Sequence, residues 1–210
     1  MDLAREFSAS RMTVNRAIRE LTVTGQLERV QGLGTFVASD TPMAPMFEIR
    51  SIAREIELRE GVHTCDVVEA LALRAAEDVA LLLGVSPGDT VFRLVAVHRC
   101  DGTQLQFERR LVNPALAPDF LKQDFTRITA SDYLLEHVPF TDVEHLVDAI
   151  APSVDVASLL GVGPHEPCLR LVRTTRLARR RITHVELIHP GSLFRLGGRF
   201  TAANMAGGLV

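Results

Sequence analysis

Ser10-Arg-Met-Thr-Val-Asn-Arg-Ala-Ile-Arg-Glu-Leu21 is the stretch on which the reading of this chain turns. Val14, Ala17, Ile18 and Leu21 recur at helical spacing, and Arg11, Thr13, Asn15, Arg16 and Arg19 fall away from that stripe. Ser10 stands where an N-cap hydroxyl would accept a free amide hydrogen of the first turn. Before it, Leu3, Ala4 and Phe7 suit one side of a shorter helix opened by Asp2, and Ser8-Ala9-Ser10 is the break between the two. Such a pair keeps one face on a small core and offers the other to a DNA groove, as a helix-turn-helix does.

Downstream, Gly25 stops the second helix, and Leu27 to Val30 and Thr35 to Ala38 read as short strands around Gln31-Gly32-Leu33-Gly34. Glycines this close permit a tight hairpin. Helix, turn, helix and hairpin over 1–38 make a winged helix-turn-helix. The chain as a whole carries a net charge of −3, so any DNA contact must come from local geometry rather than from a polybasic composition.

Residues 39–45 hold two prolines, small residues and no periodicity, and read as a linker. Beyond it, 47–58, 64–74, 91–100, 104–112, 140–151, 168–178, 182–189 and 193–200 look strand-like. Helical stretches at 76–84, 131–138 and 154–160 interrupt them, the first and last ending at Gly84 and Gly161. Asp101-Gly102 joins two strands as a hairpin. The expected class is α+β: a partial winged helix-turn-helix, then an antiparallel-sheet domain over 46–203 and a tail at 204–210.

Cys65, Cys100 and Cys168 are odd in number and widely spaced, without a CxxC pair, so neither a zinc knuckle nor a disulfide framework is expected. No apolar run reaches the roughly 18–20 residues of a membrane span, and the N-terminus lacks the regions of a signal peptide. A cytoplasmic protein without membrane association is expected.

The second domain lacks the spacings of known catalytic motifs. It has no GxSxG elbow, no HExxH and no phosphate-cradling glycine loop with a lysine. All seven histidines lie there, none at an i, i+4 distance from another, and His184 and His189 should face opposite sides of a strand. No enzyme, cofactor or metal site is expected. A small anion instead needs a cation fork, hydroxyls and walls that exclude water. Arg99 ends an apolar strand, and Glu108 and Arg110 share one face of the next. These two could equally form a surface ion pair, which contributes about 0–1 kcal/mol.

Ser10 to Ala17, with Arg19-Glu-Leu21, Gly25 and the wing Val30 to Ala38, resembles the reading head of GntR-type bacterial transcription regulators. The remainder resembles the UTRA effector domain, whose fold is similar to chorismate lyase. Within that group it is most similar to the histidine-utilisation repressors of HutC type, through Thr129 to Leu134, Glu144-His145, Leu159-Leu-Gly161, Glu166-Pro-Cys168, Arg173-Thr-Thr175 and His189-Pro-Gly-Ser192. The resemblance implies a dimeric repressor (a homodimer reading two half-sites of operator DNA) that a small effector releases.

On that resemblance, Arg11, Asn15 and Arg16 meet base edges or phosphates, with Arg19 beside them. Ser10 and Thr13 donate to phosphates, while Gln31, Gly32 and Thr35 set the wing on the backbone. Effector contacts fall on Arg99, Glu108 and Arg110, on Ser131 and Tyr133, and near Thr175, Glu186 and His189. Glu144 and His145 serve either the effector or a dimer interface. The HutC likeness implies urocanate, with Arg99 or Arg110 on its carboxylate and Glu108 or Glu144 on its ring N–H.

The family places a further helix before the residues at Asp2-Leu3, so weak operator binding by this polypeptide is expected. A sugar phosphate is an alternative effector. A chorismate-lyase-like enzyme with a vestigial head, and a dimerisation partner that sequesters intact repressor, are alternative functions.

Overall fold

The computed structural model describes residues 7, 9–23, 27–30, 34–37, 43–45 and 51–197. Its contacts divide the chain into two units, Met1–Pro42 and Met43–Val210.

In the first unit, helix α1 spans Arg11–Val23. Ser10 caps it, its Oγ accepting the Thr13 amide hydrogen at 3.1 Å, which settles one of the orphan donors of a helix start. Strands β1 (Leu27–Val30) and β2 (Gly34–Val37) pair antiparallel as the expected hairpin. Residues 1–6 and 8 of the first expected helix, with Gln31 and Gly32 of the wing, lie outside the described residues.

The second unit opens with β3 (Met43–Pro45), at the end of the expected linker. Residues 47–58 were expected as a strand, yet Ile52–Glu57 is a helix, α2. Local chemistry explains the difference. Ser51 Oγ accepts the Arg54 amide hydrogen at 3.2 Å, Glu55 sits in the first turn, and Ile52 and Ile56, four residues apart, are both buried. Residues 46–50 lie outside the described residues.

Then follow β4 (His63–Arg74), α3 (Glu77–Leu83), β5 (Thr90–Cys100), β6 (Thr103–Val112), a 3₁₀ turn (Phe120–Lys122) and α4 (Ala130–His137). β7 (Asp142–Ile150), α5 (Val154–Leu160), β8 (Cys168–Leu177), β9 (Arg180–Pro190) and β10 (Arg195–Gly197) complete the unit. Helices α3 and α5 stop at Gly84 and Gly161 with φ of 64° and 66°, a left-handed conformation that costs glycine little. The strand expected at 193–200 is described only over 195–197, where β10 pairs parallel with β3.

Six strands form one antiparallel sheet in the order β4-β5-β6-β9-β8-β7. On one face, Leu94, Ala96 and Val112 pack with Phe120, Phe125, Tyr133 and Leu134, and Ile52, Ile56 and Phe194 form a second apolar cluster beside them. α3 and α5 cover the opposite face through Leu83 with Val91 and Leu111, and through Val156 and Leu160 with Val97 and Ile188. Full burial of a side chain such as Phe120 contributes about 1.5–3 kcal/mol. Among the described residues, no helix is long and apolar enough to cross a membrane.

Candidate functional site

Sheet register decides which polar side chains can meet. Arg110 of β6 is paired with Val185 of β9, Val185 with Arg173 of β8, and Arg173 with His145 of β7. Cross-strand partners share a face, so this row brings two guanidiniums and an imidazole to the side that carries α4. The next row sets Thr183 opposite both Val112 and Thr175. Between these rows and α4 lies a narrow cleft of about 20 Å³ that opens to solvent. Its polar lining is Arg110, Ser131, Arg173, Thr175 and Thr183, and its walls are Leu134, Leu135, Val138, Phe140 and Ile182.

Arg110 is buried to 2% exposure beside Glu108 at 1%. Its Nε donates to Glu108 Oε1 at 2.5 Å, Nη2 to Ser131 Oγ at 2.9 Å and Nη1 to Thr183 Oγ1 at 3.4 Å. The pair expected on one strand face is therefore a buried ion pair rather than a surface one. Burial pushes the Glu108 carboxyl up, but the Arg110 charge and the His98 ring outweigh it and hold the group down at about 2. Arg173, also buried, donates from Nε to His145 Nε2 at 2.8 Å. Burial, then the neighbouring Arg110 charge, lower its pKa to about 10. Two partly desolvated cations held this close would both gain from an anion between them.

The other expected residues lie elsewhere. Arg99 donates to Asp66 Oδ2 at 2.7 Å and to the Gly102 carbonyl at 3.2 Å. The register shifts between His98 and Arg99, and the hollow lies beside Arg110 and not beside position 99. Glu108 sits behind Arg110, both oxygens engaged, and is not part of the cleft wall. Tyr133 is buried in the core, edge-on to Phe120 at 6.0 Å and stacked on His137 at 4.8 Å. Glu144 is exposed and bound to Arg176 at 2.6 Å.

Glu186 lies on the opposite sheet face, paired with Arg109 at 3.3 Å and near Arg170 at 3.7 Å. His189 is buried, facing Gln106 Oε1 through Nε2 at 2.9 Å and stacked on Phe194 at 3.7 Å. Ser131 and Thr175 do line the cleft, and His145 touches it through Arg173. Arg173 and Thr183 were not singled out as candidates in the sequence. Among the described residues no three His, Cys, Asp or Glu side chains are grouped as a metal site.

On α1, Ser10, Arg11, Thr13, Asn15, Arg16 and Arg19 are all exposed, and Val14 and Ile18 are half-buried. Ala17 and Leu21, expected on the apolar stripe, are exposed as well. Arg16 Nε donates to Glu20 Oε1 at 3.0 Å, one turn along the helix. Thr35 on β2 is exposed.

Comparison with known proteins agrees with this architecture. Residues 1–37 match the gntR family of bacterial regulatory proteins, and residues 59–195 match the UTRA domain. The chain is 45% identical to the histidine utilization repressor of Pseudomonas putida, over 95% of this chain and 81% of that protein. It is 42% identical to that of Klebsiella aerogenes, over 95% and 83%.

Among solved structures, the C-terminal domain of the histidine utilization repressor from Pseudomonas syringae pv. tomato superposes with a TM-score of 0.65. It has 43% identity and covers 67% of this chain and 99% of that one. PhnF from Mycobacterium smegmatis shares the fold over 96% of this chain and 89% of its own, with a TM-score of 0.74 and 24% identity. These relatives are transcriptional regulators and not enzymes. An exposed arginine-bearing helix beside a hairpin, followed by a UTRA sheet, places this chain in the GntR family of bacterial transcription regulators, among the relatives of the histidine utilization repressors.

Proposed function

We propose that this chain represses histidine-utilisation genes as a homodimer and leaves its operator when urocanate fills the cleft. The observation that carries the reading is the pairing of Arg110 and Arg173 over one apolar-walled space. Two guanidiniums suit a carboxylate, since each offers a planar fork of donors. Leu134, Val138, Ile182 and Phe140 suit the flat imidazole-propenoate body. Glu108 is already engaged by Arg110 and His98, so the ring N–H is assigned to the Thr175 hydroxyl instead. The name of the relatives supplies the target genes, and the matched reading head supplies the operator.

Calorimetry on this chain tests the effector. Heat is expected with urocanate and none with a hexose phosphate, which needs more donors than the cleft offers. The reverse pattern, or silence at millimolar urocanate, refutes the assignment.

At the operator, Arg16→Ala is expected to weaken binding by about 1–3 kcal/mol, the worth of a bidentate base contact. In the free helix the Arg16–Glu20 pair is exposed and weak, so DNA can displace it. A gel-shift titration of the repressor reads the effect, and unchanged affinity removes Arg16 from the reading surface.

A further inference from the structure

Behind the cleft a line of hydrogen bonds runs away from the ligand space. Arg110 Nε donates to Glu108 Oε1, Glu108 Oε2 faces His98 Nε2 at 3.0 Å, and His98 Nδ1 faces His63 Nε2 at 3.0 Å. Glu108 and His98 are as buried as Arg110, while His63, the first residue of β4, is half-buried. The two rings stack with centroids 5.3 Å apart. Only one proton can occupy the nitrogen-to-nitrogen contact. A carboxylate on the far side of His98 favours the form in which both its ring nitrogens donate, to Glu108 and to His63.

We propose that His63 and His98 are positioning residues for the effector cleft. Together they keep the His98 ring doubly protonated, one N–H on Glu108 and the other on His63, fix the Arg110 guanidinium with its Nη atoms toward the ligand, and make anion binding proton-linked. This rests on the reading that the cleft takes an anionic effector.

Every charge around the pair bears on that protonation. His98 is faced by Glu108, and through it Arg110, from β6, by His63 and Cys65 from β4, and by His189 from β9. His63 is faced by Glu57 from α2 and Asp132 from α4. Burial drives the His98 ring toward neutrality, but its contacts with Cys65 and Glu108 prevail and raise it to about 9. For His63, burial and then the His98 charge lower it to about 4. Burial likewise keeps His189 neutral, at about 3. Below about pH 9, His98 adds a positive charge behind Arg110 and Arg173; above it that charge is gone. Anion affinity must therefore fall as the pH rises, before Arg173 itself titrates near 10.

The first test follows urocanate binding to the full chain between neutral pH and about pH 9.5, where loss of the His98 proton is expected to lower affinity about two- to fourfold. His98→Gln keeps a donor for Glu108 but cannot carry the proton, so its profile should be flat. A flat wild-type profile, or a variant that keeps the wild-type slope, overturns the proposal.

A second test needs no ligand. Nitrogen-15 spectra of the wild-type chain should show both His98 ring nitrogens protonated at neutral pH, and the Arg110 Nε–H resonance should shift as His98 titrates. A neutral His98, or an Arg110 signal indifferent to it, ends the relay whether or not urocanate binds. Absence of urocanate heat alongside the expected spectra instead refutes only the urocanate assignment.

Discussion

Glu108→Leu is expected to destabilise the effector unit by about 3–5 kcal/mol, the cost of leaving one member of a buried ion pair without its counter-charge. Arg110 would remain enclosed at 2% exposure with only the hydroxyls of Ser131 and Thr183 for company. Adding Arg110→Met to the variant should therefore recover much of the loss, because a well-packed apolar pair avoids the desolvation of both ions. Urea denaturation with an unchanged slope reads both effects. A single variant within about 0.5 kcal/mol of wild type would mean that the site behaves as surface, where substitutions cost that little.

Arg173→Met is expected to weaken urocanate binding by about 2–5 kcal/mol while leaving the fold intact, since binding then loses a buried charged partner. The asymmetry follows from its surroundings. Burial and the Arg110 charge work against the Arg173 cation and outweigh the help of Glu108 and Glu55, so methionine relieves a cost that an anionic ligand would offset. Arg176, three residues on, is the control. It pairs with Asp142 at 3.1 Å and Glu144 at 2.6 Å on an exposed edge, and Arg176→Ala should change binding little. Calorimetry of the two variants side by side separates them, and equal losses would place the ligand elsewhere.

Much of the fold was legible because its cues are local. Gly84 and Gly161 end their helices, Asp101-Gly102 turns its hairpin with φ of 50° and 83°, and period-two parity put Glu108 with Arg110 on one face. The same parity separated His184, half-buried on one face, from buried His189 on the other. What stayed hidden is non-local. β9 inserts between β6 and β8, and that strand order is what carries Arg173 to Arg110. No spacing in the sequence encodes it. Arg99 misled because a register shift at His98 intervenes before it. Helix α2 was hidden because six residues are too few to show helical periodicity, and Ser51 was the only strong cue to its start.

The short parallel ribbon of β3 with β10 gives the second unit a closed circuit. The chain arrives at Met43 and departs at Gly197 along the same seam, so the far extremity of the sheet module is stitched to its own doorway. Fraying of residues 195–197 would unzip the strip that receives the incoming chain, and both ends of the module gain or lose order together.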